Sequence, residues 1–423
     1  MRRNTFRLLL ATAALAMGIL SCTPPPTASP TTSPPTSIPP TEEPATVPPT
    51  APPTAPPTPT PTEIPEATWL PDGTIALYSS GPHEAPTLYA LSSGGGLTAL
   101  EPAVTRSARV TRNGRWLATP SGDMGVGDVS ITNLENGTTY TVPRTGDFDV
   151  YRLAFDADST RLAIMEVGPP EGGTTAWAIV VVDLADGTTR RFEAAMGPDL
   201  ELLPGNPIGW SGDELLLNTF IPYSEAGSEG VWGITIPADA AAAPVTSLGR
   251  REILSAGSYL LEPELSHDGS QLLYLNRDYD YTPDGYEPVA YDLAVNQLGT
   301  VNLVSGATSL LVELTDGGAL GPEATWSPRG EQILFARGSY SGDTFSSLAL
   351  RTRDDSGAIS EILPLPLPPQ GYLTSLSWCR PNIASFILAT RDGTQQLYLA
   401  DLSTNSMTLL ASAPGIFPLG CIR

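Results

Sequence analysis

Apolar and polar positions alternate in short blocks along most of this chain, and the blocks repeat. Trp326-Ser327-Pro328-Arg329-Gly330 is followed at once by the apolar run Gln332-Ile333-Leu334-Phe335-Ala336. The same sentence occurs as Trp69-Leu70-Pro71-Asp72-Gly73 and then Thr74-Ile75-Ala76-Leu77-Tyr78. Weaker copies align on the apolar anchors Val110, Phe155, Trp210, Leu265 and Trp378. The spacing, roughly 40 to 60 residues, is that of propeller blades built from four strands. Each anchor ends a short strand. A turn follows, as in Arg112-Asn113-Gly114 or His267-Asp268-Gly269, where Gly, Asn and Asp accept the positive φ of tight hairpins. Runs such as Leu215-Leu216-Leu217 and Val180-Val181-Val182 supply second and third strands. Polar runs such as Thr138–Val142 and Met407–Leu410 supply the fourth. The pattern predicts an all-β fold: a β-propeller of seven four-stranded blades, with six or eight as the alternatives, because the second and fourth units are degenerate. No amphipathic helix is predicted; Ala238–Ala243 is too short and is flanked by prolines.

The repeated Trp-Ser-Pro-x-Gly sentence, together with Arg391-Asp392-Gly393 and Leu397-Tyr398-Leu399-Ala400-Asp401-Leu402, resembles the TolB-like, or WD40-like (PD40), bacterial propeller repeat. The resemblance covers residues 64 to 412 and is strong in the first, sixth and seventh units. It implies a propeller. It does not imply membership of the Tol machinery, because the small α/β domain that precedes the TolB propeller has no counterpart here.

The start of the chain is of another kind. Arg2, Arg3 and Arg7 precede an apolar run from Leu8 to Leu20, ending Ile19-Leu20-Ser21-Cys22. A basic start, a short apolar core and small residues at its end make a secretory signal rather than a spanning helix. The tetrapeptide resembles a bacterial lipobox, which implies cleavage before Cys22 and lipid on its thiol; an ordinary signal peptide is the alternative. Pro and Thr then dominate residues 23 to 62. Such a segment cannot bury a core and should stay extended and disordered. At roughly 3.1 Å per residue it would reach on the order of 120 Å. The expected organisation is therefore a lipoprotein signal peptide (1–21), a lipidated cysteine and Pro/Thr-rich stalk (22–63), and the propeller (64–423).

Composition sharpens the expected location. The net charge is −23, and losing the leader would make it −26; all 22 basic residues are arginine. A surface this acidic opposes contact with nucleic acid or anionic lipid. The membrane would be met through the N-terminal lipid alone, with a monomeric propeller on the extracytoplasmic side. Of three cysteines, Cys379 and Cys421 remain after Cys22. Cys379 follows a strand-ending Trp378, and Cys421 ends what reads as another inner strand. A disulfide between them would pin the C-terminus and close the ring; two free buried thiols are the alternative.

Candidate chemistry is thin. Only His83 and His267 are present, and His267 sits in a turn. Gly209-Trp210-Ser211-Gly212 lacks the spacing of a nucleophile elbow, and no phosphate loop, zinc spacing or dinucleotide fingerprint occurs. No catalytic residue is assigned. The best constellation is Asp278-Tyr279-Asp280-Tyr281-Thr282-Pro283-Asp284-Gly285-Tyr286-Glu287. Asp278, Asp280 and Asp284 offer the hard oxygen donors that calcium takes. Tyr279, Tyr281, Tyr286 and Glu287 suit contact with a protein or a sugar. A solvated loop is the plain alternative. No other cofactor is expected. Long connections around Gly168–Thr175 and Pro222–Gly230 put Glu171, Tyr223, Glu225 and Glu229 on the list by location. The leading reading is a tethered, non-catalytic binding or scaffold propeller that recognises a protein or envelope ligand. The alternatives are a propeller enzyme acting on envelope glycans, as hydrolase or lyase, and an envelope assembly factor by analogy with TolB.

Overall fold

A computed structural model describes residues 70–422, except 82–85, 101–103, 106, 122–126, 172–173, 197–201, 221–229, 256–258, 278–294, 316–317, 342–343 and 369–370. The chain forms seven antiparallel sheets of at least four strands, arranged as a seven-bladed propeller. In blades 2 to 7 the innermost strand comes first in sequence and carries the apolar anchor at or near its end. These strands are Arg109–Val110, Asp149–Phe155, Gly205–Ser211, Tyr259–Leu265, Gly318–Trp326 and Tyr372–Arg380. The three later strands of each unit step outward in order.

Blade 1 departs from the sequence reading. Trp69 was expected to end its inner strand, but that residue lies outside the described part. The inner position is instead taken by the C-terminal strand Ile416–Cys421, antiparallel to Thr74–Ser80, with Ala76 opposite Cys421 and Leu77 opposite Gly420. The blade is thus completed by the far end of the chain. The bond between Cys379 and Cys421 is present as well, with the sulfurs 2.01 Å apart. It links the inner strand of blade 7 to that of blade 1, so strand sharing and a disulfide both close the ring.

The core is divided rather than central. Seven apolar clusters occupy the seven gaps between adjacent blades. This follows from strand alternation: each sheet presents side chains to both faces, and both faces are covered by neighbouring blades. The anchors Trp210, Trp326 and Trp378 are buried in these gaps. Trp210 Nε1 donates to Ala154 O at 3.4 Å, and Trp326 Nε1 donates to Glu264 O at the same distance. In each case the acceptor stands on the preceding blade, one residue before that blade's own anchor. An anchor tryptophan therefore fills one gap and ties its indole to the neighbour's backbone.

Two further elements differ from the sequence reading. Gly168–Thr175 was read as a long loop. It belongs mostly to a long hairpin, with strands Arg161–Glu171 and Thr174–Asp183. The segment after the third strand of blade 4 does not run directly to the fourth. It carries a two-residue strand, Ala243–Pro244, laid parallel on the outer strand of blade 3, Thr189–Met196. A single turn of 3-10 helix follows at Val245–Ser247.

Candidate functional site

The inner strands of all seven blades surround a cavity of about 420 Å³ on the ring axis. Its lining follows from the anchors. An anchor turns into a gap between blades, and the residue before it lines the cavity at the inner edge of its sheet. That position is held by Arg109, Ala154, Gly209, Glu264, Thr325 and Ser377 in blades 2 to 7, and by Gly420 in the closing strand. A second level, two residues earlier, contributes Arg152, Pro207, Glu323 and Ser375, with Pro418 from the closing strand.

Small residues make the space, and charged ones give it character. Thr325 Oγ1 donates to Glu264 Oε1 at 3.1 Å. The backbone N–H of Leu376 donates to Glu323 Oε2. Each carboxylate is therefore held by a donor on the next blade. Arg109 Nη1 donates to Ala108 O at 2.8 Å.

Arg112 follows its anchor by two residues and spans the axis. Its Nη2 reaches Leu265 O at 3.3 Å and its Nη1 reaches His267 O at 3.4 Å, both on blade 5. Burial lowers the pKa of this guanidinium, and the charge of Glu264 opposes that shift. Leu265 and His267 mark the end where inner strands turn into second strands, so Arg112 floors the cavity at that end.

A buried polar seam lies beside the cavity between blades 7 and 1. The Tyr78 hydroxyl and Ser385 Oγ are 2.5 Å apart, and Cys379 Sγ lies 3.9 Å from the same serine oxygen. Burial pushes the Tyr78 phenol up to about 12; the Ser385 hydrogen bond opposes this, and the charge of Glu323 adds to it.

Of the site residues expected from sequence, Cys379 and Cys421 are found bonded, and Cys421 lines the cavity. Asp278, Tyr279, Asp280, Tyr281, Asp284, Tyr286 and Glu287 lie outside the described residues, as do Cys22, His83, Tyr223, Glu225 and Glu229. Glu171 is the exposed last residue of the strand Arg161–Glu171. His267 is a turn residue whose carbonyl accepts from Arg112. Among the described residues, no group of three or more His, Cys, Asp or Glu is placed to hold a metal. The cavity residues Arg109, Arg112, Arg152, Glu264 and Glu323 were not singled out from sequence. For Arg109 and Glu264 the available signal was positional: a charged residue immediately before an apolar anchor.

No family model matches the chain, and no curated protein matches it. Solved structures do match. An oligogalacturonate lyase in complex with manganese aligns with a TM-score of 0.54 at 12% identity, over 78% of this chain and 86% of that one. The oligogalacturonate lyase of Vibrio parahaemolyticus aligns with a TM-score of 0.53 at 11% identity, over 78% of this chain and 87% of the other. TolB from Acinetobacter baumannii aligns with a TM-score of 0.38 at 14% identity, over 70% of this chain and 65% of that one. At these identities the likeness is one of fold. It places the chain among seven-bladed propellers.

Proposed function

We propose that this chain is an exported, lipid-tethered propeller that binds a ligand outside the cytoplasm and does not transform it. The leader 1–21, lipidation at Cys22 and the Pro/Thr spacer of residues 22–63 supply the tether. The single observation that supports binding is the central cavity. Arg109, Arg152, Glu264 and Glu323 stand on strands rather than loops, and both glutamates are held as acceptors by donors of the adjacent blade. Groups fixed in this way suit recognition, where precise placement matters more than a free proton. The test uses residues 64–423 immobilised and exposed to envelope extract. Retention of a defined compound or protein, released unchanged, is the expected result; release of a chemically altered product would overturn the non-catalytic reading. Metabolic labelling with a fatty-acid analogue tests the tether: Cys22→Ala should lose the label and free the protein from the membrane fraction.

A second reading is a lyase or hydrolase of acidic glycans. It is favoured by carboxylates that line the cavity, among them Glu264 and Glu323, and by neighbours that act on oligogalacturonate. Incubation with galacturonate oligomers decides it. A rise in ultraviolet absorbance from an unsaturated sugar end marks a lyase, and new reducing ends without that rise mark a hydrolase.

A further inference from the structure

The two ends of the disulfide stand in different surroundings. Cys379 is 1% exposed and belongs to the apolar cluster in the gap between blades 7 and 1. Its partner Cys421 is half-buried and lines the central cavity, which is partly open to solvent. A small thiol that enters the cavity therefore meets Cys421 and not Cys379.

The buried side holds a feature that packing does not require. Tyr78 and Ser385 are 3% and 2% exposed, and their hydroxyl oxygens are 2.5 Å apart. Tyr78 and Cys379 share their cluster with Ile75, Leu91, Ile387 and Ile416. A hydroxyl pair in such a gap costs desolvation that two apolar groups would not. Ser385 Oγ lies 3.9 Å from Cys379 Sγ, within the range of a hydrogen bond to sulfur. When the Tyr78 hydroxyl donates to Ser385, the serine proton is left for that sulfur. A disulfide sulfur accepts it weakly; a thiolate accepts it strongly.

We propose that Cys421 is a thiol-exchange site, attacked from the cavity by a small thiol, and that Ser385 and Tyr78 receive the Cys379 thiolate as it leaves. The incoming thiolate bonds to Cys421 Sγ while the bond from Cys421 to Cys379 breaks, and the electron pair of that bond departs on Cys379 Sγ. The proton lost by the incoming thiol ends on Cys379. One disulfide replaces another, and no oxidant is consumed. Exchange removes the covalent link between the inner strands of blades 7 and 1. The ring is then held there by the pairing of Ile416–Cys421 with Thr74–Ser80 and by the packing of the gap. Its closure is thus a reversible chemical latch, whatever the cavity binds.

The experiment exposes the folded full-length chain to dithiothreitol over a range of concentrations and follows loss of the Cys379–Cys421 bond by peptide mass. The expected rate rises in proportion to dithiothreitol. A rate that does not depend on its concentration would mean that the bond is reached only on unfolding, and would overturn the proposal, as would a bond that persists at millimolar dithiothreitol. Single-cysteine chains locate the attack. Under one aromatic disulfide probe, Cys421 in the Cys379→Ser chain should react about tenfold faster than Cys379 in the Cys421→Ser chain; the reverse order would overturn the site. Ser385→Ala should slow reduction of the bond by about tenfold, and Ser385→Thr should restore it. A purely structural serine gives the opposite sign, because loosening the gap speeds reduction, so an unchanged or faster rate in Ser385→Ala would overturn the role given to the hydroxyl pair. The kinetics of the unaltered chain decide the exchange even if a variant does not fold.

Discussion

In blades 2, 3, 5 and 6 the residue after the anchor closes its hairpin. Ser327 Oγ accepts the N–H of Gln332 at 3.0 Å, Ser266 Oγ that of Gln271 at 2.9 Å, and Thr111 Oγ1 that of Trp116 at 2.9 Å. Asp156 Oδ1 does the same for Arg161 at 3.0 Å. The serine of the repeated sentence is therefore a side-chain clasp across a turn, and any short oxygen-bearing side chain serves. Ser327→Ala should cost about 1 kcal/mol in urea unfolding, and Ser327→Thr should restore most of it, since Thr111 already holds that place in blade 2. The clasp was legible in the sequence because backbone geometry demands particular residues in consecutive order. Arg109 and Glu264 were not. A polar residue next to an apolar anchor is what any half-exposed strand shows, and only closure of the ring converts that solvent-facing side into a cavity wall.

At the scale of elements, the seam between blades 7 and 1 carries the most varied chemistry. Cys379 stands where the clasp serine is expected, and its bond to Cys421 takes over the fastening. The bridged cysteines are 42 residues apart in sequence. Replacing both by serine should lower stability by about 2–4 kcal/mol, read as a shift in denaturant midpoint against the unaltered chain. The buried Tyr78 phenol lies against the same seam. Its pKa is raised in the folded state above the ordinary value near 10, so the neutral form is the one the fold favours. Its contribution is complete below pH 10 and is lost as pH rises towards 12. Unfolding free energy should therefore fall across that window, and Tyr78→Phe should flatten the fall. Elsewhere, the Ala243–Pro244 strand lies on the outer edge of blade 3, where Arg190 Nη1 also fastens Pro237 O at 2.9 Å. An outer strand is an exposed template for pairing, and here the next blade covers it. The sequence did not reveal this, because a two-residue parallel pairing has no period to detect.

The whole molecule is a ring of similar sheets glued pairwise, so its stability depends on no single core but on every gap being filled. Seven clusters in seven gaps mean that losing one blade exposes two apolar faces at once. The architecture was readable from spacing alone, because seven anchors at blade-like intervals leave few other folds. How the ring closes was not, since pairing between distant segments leaves no local pattern. Deleting residues 416–423 should remove the inner strand of blade 1 and the partner of Cys379 together. Limited proteolysis of that truncation should then cut first near Thr74–Ser80. The strand-sharing of blade 1 also imposes an order in time. Ala76, near the beginning of the ring, pairs with Cys421, two residues from the last. A chain that emerges from a ribosome or a membrane pore with its N-terminus first cannot finish its first blade until its final strand is out. Until then the ring stays open and the wall of its cavity incomplete, so the cavity can form only after the strand Ile416–Cys421 has emerged.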